Sequence, residues 1–496
     1  MKVGILPSSS FVFYLLLLII IGVLSARFRT RSLSEFFLGG RRMKHWVVAL
    51  SAVVSGRSAW LILGMSGMAY TLGLSSVWAV VGYILVELFL FMFMGKRLRR
   101  YSQTSESITL PDFFEARYKD RLHILRTVSV AIIVIFMVAY VSAQFNAGGK
   151  AISASFGLTT TQGLWLTALI VLAYTMLGGF FAVSLTDVVQ ALFMILGLVI
   201  LPAVAILDFG GLGKVIEALR LQDMKLVNPW AIGFVGAAGF LGIGLGSPGN
   251  PHILVRYMSA ESPQGLRRAA LLGTIWNVVM AWGAVFVGLA GRAYFPLKSL
   301  LPSADTERLF PYLASEHLHP VLFGFTVAAV FAAIMSTADS QLLVAASGIT
   351  RDVYQKLFRK GSIITEKRMV LFSRIAVLVL TLVAIGLGAI AKDLVFWLVL
   401  FAWAGLGASF GPAVVLSLLW KRTTKWGILA GLISGTLVTI IWKTTPFLKQ
   451  MIYELIPAFL ISGILVVIVS LFTRAPEDAH WELAEIAPRY RFRRKG

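Results

Sequence analysis

Several ionisable side chains and two clusters of helix-breaking residues lie inside long apolar stretches of this chain. Arg57 sits within Ser55-Gly56-Arg57-Ser58, Asp339 within Ala333-Ile-Met-Ser-Thr-Ala-Asp-Ser340, and Glu87 and Asp187 occupy comparable settings. An arginine at the centre of a membrane helix costs about 2.5–3.5 kcal/mol even on the lenient insertion scale, so Arg57 must face the protein interior beside an acid. Asp339 follows Ser336 by three residues, which puts both on one helix face. A second interruption runs Gly239-Phe-Leu-Gly-Ile-Gly-Leu-Gly-Ser-Pro-Gly-Asn-Pro251. In a regular helix each of its glycines would cost ~1 kcal/mol and each proline ~3 kcal/mol. Backbone groups freed at that depth have to face protein or a water-filled cavity. These residue types bind ions and small charged solutes. They do not make or break bonds: the histidines (45, 123, 252, 317, 319 and 480) form neither a His-Glu-x-x-His motif nor a serine–histidine pair, and there is no cysteine. The chemistry points away from an enzyme and from a metal or organic cofactor.

The elements that position these residues follow from composition. Of 496 residues 58% are hydrophobic and 14% charged, against about 25% charged in soluble domains. Apolar stretches long enough to cross ~30 Å of hydrocarbon recur from end to end. They predict thirteen membrane helices, at 11–26, 46–72, 76–95, 127–150, 161–178, 182–206, 231–250, 269–293, 320–347, 369–391, 394–419, 426–443 and 456–473. The net charge of +22 does not imply nucleic acid, because the basic residues concentrate in short loops on one side. The richest are Arg27–Lys44, Lys96–Arg126 and Arg351–Arg368. That asymmetry predicts a multi-pass cell-membrane protein with its N-terminus outside and its C-terminus in the cytoplasm. The basic tail 475–496 is expected to touch anionic lipid.

The two interruptions fall in the second and seventh helices, five helices apart. Five is odd, so the second set enters from the opposite side, and two inverted repeats result, each opening with a broken helix. Interrupted segments in corresponding positions are the best sequence pointer to a transporter's central site. The expected organisation is an extra helix and basic loop (1–45), a first repeat (46–206), a second repeat (207–419), two C-terminal helices (420–474) and a tail (475–496).

Five motifs carry a family resemblance: Glu35-Phe-Phe-Leu-Gly-Gly-Arg-Arg-Met-Lys-His-Trp46, Tyr174-Thr-Met-Leu-Gly-Gly-Phe-Phe-Ala-Val-Ser-Leu-Thr-Asp187, Asn250-Pro-His-Ile-Leu-Val-Arg256, Ala333-Ile-Met-Ser-Thr-Ala-Asp-Ser-Gln-Leu-Leu343 and Ala402-Trp-Ala-Gly-Leu-Gly-Ala-Ser-Phe-Gly-Pro412. Over nearly the whole chain the sequence resembles the sodium/solute symporter family, most of all its sodium/proline branch. The resemblance implies an all-α, leucine-transporter-like 5+5 inverted-repeat core. It also implies symport of a small organic solute, an amino acid or other carboxylate, by alternating access. Sodium is the implied coupling ion, and solute, Na+ or H+ and lipid are the implied partners. A transporter-like sensor, or a proton-coupled or exchange transporter, is the alternative.

Carried onto this sequence, the family's cation site maps to Val54, Arg57, Ala333, Ser336 and Thr337. A second cation or proton path maps to Asp187, Asp339 and Ser340. Solute contacts map to Ser55, Gly56, Ser58, Trp60, Gly64, Ile243, Gly244, Ser247 and Pro251, with Trp403 as a gate. The chain departs from the proline branch at four positions: Gly56 stands for an aspartate, Arg57 for a methionine, and Ile243 and Ser247 for aromatics. Two expectations follow. Arg57 acts as a fixed surrogate cation held by Asp187 or Asp339, or else its side chain points away and sodium binding survives. The lost aromatic walls predict a small carboxylate solute, with proline not preferred.

Overall fold

A computed structural model describes residues 5–26, 33–358, 366–391 and 393–475. Among the described residues the chain is helical throughout, with one isolated bridge between Met43 and Ala260. The predicted loop residues Arg27, Arg29 and Arg31 and the tail beyond residue 475 lie outside the described residues.

Among the described residues, ten helices are long and apolar enough to span a membrane. One is the 60-residue run His45–Thr104, which holds two passes separated by a reversal at Gly73–Ser76. There Gly73 has φ +59°, and a Cβ on it would stand 2.0 Å from the Leu226 carbonyl oxygen. Thr160–Met176 is a shorter apolar helix, and Gly233–Ser259 is broken in the middle. With these the count reaches about thirteen passes. We label them α1 (Ile5–Ala26), α2 (His45–Ala59, continued by Trp60–Met65 and Ser66–Leu72), α3 (Val77–Phe89, continued to Thr104), α4 (Ile124–Phe156), α5 (Thr160–Met176) and α6 (Gly179–Asp208). Then come α7 (Gly233–Leu241, Gly242–Gly249 and Pro251–Ser259), α8 (Gly265–Tyr294), α9 (Pro320–Ser347), α10 (Glu366–Ile390), α11 (Val395–Leu419), α12 (Lys425–Thr444) and α13 (Leu455–Phe472).

Two boundaries differ from expectation. A loop is predicted between α5 and α6; the chain turns instead at one residue, Gly179, with φ 60° and ψ −169°. The seventh helix, predicted to end at 250, resumes as Pro251–Ser259 after an extended Asn250. Proline in the first helical turn gives up no intrahelical hydrogen bond, so the residue that ends one helix starts the next. Arg256 therefore lies in a buried helix and not in a cytoplasmic loop.

α9 and α11 form the centre. Both are strongly apolar on average and almost wholly buried, as expected of a helix with no solvent or lipid face. α9 is rich in small residues, including Ala328, Ala329, Ala332, Ala333, Ser336 and Ala338, which let neighbouring backbones approach closely. It packs against α1, α2, α4, α5 and α6. α1, α10, α12 and α13 turn a larger share of their apolar surface outward.

Candidate functional site

The break in α2 is centred on Ser58, whose φ of 46° and ψ of −174° are not helical. The freed amides are met by side chains. Ala59 N–H donates to Gln144 Oε1 at 3.0 Å, and Trp60 N–H to Ser58 Oγ at 3.1 Å. In α7 the interruption is a tight helical stretch over Gly242–Gly249. Asn250 Nδ2 donates to the Gly246 carbonyl at 2.8 Å, and Trp403 Nε1 to the Ile243 carbonyl at 2.8 Å. Both breaks thus obey the rule that backbone polar groups at membrane depth find partners inside the protein.

α9 lays its hydroxyls against the first break. Ser336 Oγ lies 3.2 Å from the Ala333 carbonyl oxygen and 3.4 Å from that of Val54, and Thr337 Oγ1 donates to the Ser55 carbonyl at 3.0 Å. All of these residues are buried. The set is oxygen-only and uncharged, the chemistry suited to a hard monovalent cation. Of the five residues mapped to the cation site, Val54, Ala333, Ser336 and Thr337 converge here. The Arg57 carbonyl is turned to the Trp60 N–H.

The Arg57 side chain leaves this cage. It forms an ion pair with Glu87 of α3, donates from Nε to Asn277 Oδ1 of α8 at 2.7 Å, and stacks 3.6 Å over the Tyr83 ring. Asn277 Nδ2 donates in turn to Glu87 Oε2 at 2.6 Å. The expected partners Asp187 and Asp339 are not the acids it meets, so the surrogate-cation expectation is not what the geometry gives. Glu87 was legible as a buried carboxylate but had no motif to assign it. It lies beside Gly56, where a Cβ would stand 3.1 Å from Ile253 Cδ1 and in ordinary contact, 3.4 Å, with Glu87 Oε1.

Asp187 instead pairs with Arg256. Its Oδ2 accepts from Ser51 Oγ at 2.5 Å, from Arg256 Nη2 at 3.1 Å and, at the margin, from Ser55 Oγ at 3.4 Å. Arg256 also donates to Ser340 Oγ, to Ser51 Oγ at 3.0 Å and to the His252 carbonyl at 2.5 Å. Ser340 Oγ lies 2.9 Å from Asp339 Oδ1, and the Tyr174 hydroxyl donates to Asp339 Oδ2 and to the Met335 carbonyl. Asp187, Asp339 and Ser340 are therefore linked in one hydrogen-bonded network through Arg256. Arg256 at its centre was missed, because its helix was read as a loop.

Between the breaks lies a closed cleft lined by Gly56, Arg57, Trp60, Tyr83, Tyr140, Ile243, Val399, Leu400 and Trp403, with about 10 Å³ of free volume. That is room for roughly one water. Of the residues mapped to the solute, Gly56, Trp60 and Ile243 line it. Ser58 sits just behind, where its Oγ is 3.4 Å from the Tyr140 hydroxyl. The others are placed differently. Ser55 lies against α9, its Oγ donating to the Ser336 carbonyl at 3.0 Å and its own carbonyl accepting from Thr337. Gly64 packs on Phe396, and Gly244 on the Gly82 carbonyl. Ser247 is buried outside the cleft lining, and Pro251 faces a second small cavity beside Arg256 and Ser340. Tyr83, Tyr140 and Trp403, from three other helices, give the cleft aromatic walls. Tyr83 and Tyr140 look like ordinary core in the sequence, whereas Trp403 is the one singled out there.

Closures lie on either side. Trp60 stacks on Phe396 with ring centroids 5.6 Å apart. Beyond them opens a vestibule of about 480 Å³ lined by Met68, Phe240, Trp397, Leu400, Lys443 and Tyr453, among others. At the opposite end Arg126 ties three carboxylates together: Glu115 at 2.6 Å, Asp112 at 2.7 Å and Asp352. A polar cavity of about 710 Å³ borders that cluster.

Comparison with known proteins agrees with this architecture. The chain is 39% identical over 453 residues to the high-affinity proline transporter PutP of Bacillus subtilis (strain 168), covering 91% of this chain and 95% of the relative. It is 39% identical over 471 residues to the sodium/proline symporter of Staphylococcus aureus (strain JH9), covering 93% and 92%. Its fold matches a solved structure described as a substrate-bound outward-open state of a Na+-coupled sialic acid symporter. That match has a TM-score of 0.81 over 96% of this chain and 99% of the other, at 18% identity. The family model for the sodium:solute symporter family matches residues 36–435. With its leucine-transporter-like fold, the chain belongs to the sodium:solute symporter family and is a secondary active transporter of a small organic solute.

Proposed function

We propose that this protein couples inward movement of a small carboxylate-bearing solute, of amino-acid size, to sodium. The observation that carries the reading is the uncharged oxygen cage of Val54, Ala333, Ser336 and Thr337 at the break of α2, directly beside the solute cleft. Because the Arg57 side chain is turned to Glu87 and Asn277, it does not fill the cage, and sodium keeps its place in the mechanism. Asp187 and Asp339 form the second cation or proton path, with Arg256 between Asp187 and Ser340. Repeats 46–206 and 207–419 rock about the site. With the N-terminus outside, the vestibule above Phe396 faces outward and the Arg126 cluster closes the cytoplasmic side.

Proline, named for the relatives, fits this chemistry. Its carboxylate suits Arg57, and its ring suits a cleft walled by Trp60, Tyr83, Tyr140 and Trp403. That removes the ground for expecting proline to be disfavoured. The test is uptake into proteoliposomes with sodium and proton gradients imposed separately, across L-proline, L-alanine, other amino acids and pyruvate. Uptake that responds to sodium supports the reading, and uptake driven by the proton gradient alone refutes it.

A further inference from the structure

We propose that Arg57 is the anchor for the solute's carboxylate and that Glu87 is the residue that positions it. The inference rests on the carboxylate-symport reading above and adds the recognition residue. Arg57 is 1% exposed yet belongs to the lining of the cleft, and it is the charged group that lining presents. A guanidinium has five N–H donors. Nε is given to Asn277, one Nη1 proton faces the Gly56 carbonyl at 3.3 Å, and Nη2 faces Glu87. Two donors remain, in the planar fork that matches a carboxylate. The Tyr83 ring packs against the guanidinium, its centroid 3.6 Å from Arg57 Cζ.

Glu87 is what lets this cation exist in the membrane interior, since an unpaired buried charge is strongly unfavourable. It stands behind the guanidinium, outside the cleft lining, where Asn277 holds its Oε2. Its Oε1 has no hydrogen-bond partner among the described residues and points into the space left by the missing side chain of Gly56. The solute therefore meets the cation of the pair and not the acid. A carboxylate gains charge-assisted hydrogen bonds there; the matching carboxamide does not.

The probes are L-proline, L-alanine and pyruvate, each taken up under a sodium gradient and each competed with its own carboxamide. The wild type should prefer carboxylate over carboxamide by about 10- to 100-fold. In Arg57→Met with Glu87→Gln, which removes both charges together, the preference should fall to about threefold or less. Arg57→Lys keeps the charge but loses the fork, and should raise KM while retaining most of the preference. Glu87→Gln alone should raise KM about tenfold or more with kcat little changed, and Glu87→Asp should recover part of that loss. Detergent melting temperatures on the same samples separate these effects from misfolding. Undiminished carboxylate preference in the folded double variant would overturn the assignment. So would a Glu87→Gln defect confined to kcat. If the wild type takes up none of the three carboxylates, the solute class itself is wrong, and the anchor falls with it.

Discussion

Thr337→Val removes one hydroxyl from the proposed cation cage and nearly preserves the side chain's shape. Thr337 Oγ1 now donates at 3.0 Å to the Ser55 carbonyl, across the contact between α9 and the break of α2. Valine leaves that buried carbonyl without its donor and deletes one of the two side-chain oxygens of the cage. A hydrogen bond or ligand contact to a charged species is worth about 1.5–3 kcal/mol, so sodium affinity should fall about 10- to 150-fold. Ser336→Ala should fall in the same range, since Ser336 Oγ faces both Val54 and Ala333 carbonyls. The double change should cost less than the sum, because adjacent ligands of one ion couple. The assay is initial uptake against sodium concentration at fixed pH and fixed solute. Linkage adds a second readout: whatever factor sodium contributes to solute affinity, solute contributes to sodium affinity. At saturating sodium the variants should therefore recover near wild-type solute KM. A folded Thr337→Val protein with an unchanged sodium half-saturation would refute the placement of the cage.

Three further outcomes are expected. Gly244→Ala would bring a Cβ 2.3 Å from the Gly82 carbonyl oxygen, against an ordinary contact of 3.4 Å or more. Pushing α7 off α3 should cost about 1–3 kcal/mol and lower both detergent stability and uptake. Gly386→Ala in α10 has nothing within 4 Å and serves as the neutral control. At the Arg126 cluster, burial pushes the Glu115 carboxyl up, but the hydrogen bonds from Arg126 and His123 outweigh it and hold the group below the usual carboxylate range. A depressed acid contributes its stability above its unfolded pKa and loses it as pH falls through the folded value. Glu115→Gln should thus be less stable than wild type at neutral pH by about 1–3 kcal/mol, with the gap closing in strong acid; a gap that widens in acid would contradict the pairing. Finally, a cysteine placed at Ser105 in this cysteine-free chain should be reached by impermeant reagents from the cytoplasmic side, and labelling from outside would reverse the orientation.

What the sequence revealed and what it withheld have different physical origins. The two breaks are local: Ser55-Gly56-Arg57-Ser58 and the glycine–proline run cannot be regular helix, whatever surrounds them. The meeting of Ser336 and Thr337 with the α2 break was available through family resemblance, because it depends on backbone that the family shares. The partner of Arg57 was not available. Glu87 lies thirty residues away on the next helix, and whether it reaches Arg57 depends on how closely α2, α3 and α7 pack. That closeness is set by Gly56, Gly82 and Gly244, whose meaning appears once the opposing backbones are in place. Arg256 was hidden differently. Pro251 imitates a helix end, so a buried arginine passed for one more basic loop residue. Tyr83 and Tyr140 carry no signal that separates a solute wall from core packing.

The arrangement of the buried charges gives the coupling a physical basis. Arg57 and Glu87 form a pair with no formal excess. Asp187, Arg256 and Asp339 carry formally one negative charge more than positive, and Ser55 Oγ, which donates to the Ser336 carbonyl at 3.0 Å, reaches toward Asp187 from the cation cage. In the proposed mechanism the acidic network draws a cation toward the cage, while Arg57 draws the solute's carboxylate. The two sites meet in one short piece of backbone. Val54 and Ser55 face the hydroxyls of α9, and Arg57, two residues on, lines the cleft. A helix break is free to move because it lacks its own hydrogen-bond ladder. In the proposed mechanism a bound cation ties Val54 to α9, and that tie sets the angle at which the Arg57 fork enters the cleft. The solute then meets a pre-oriented anchor, and each ligand raises the other's affinity through the ordering of the same few residues.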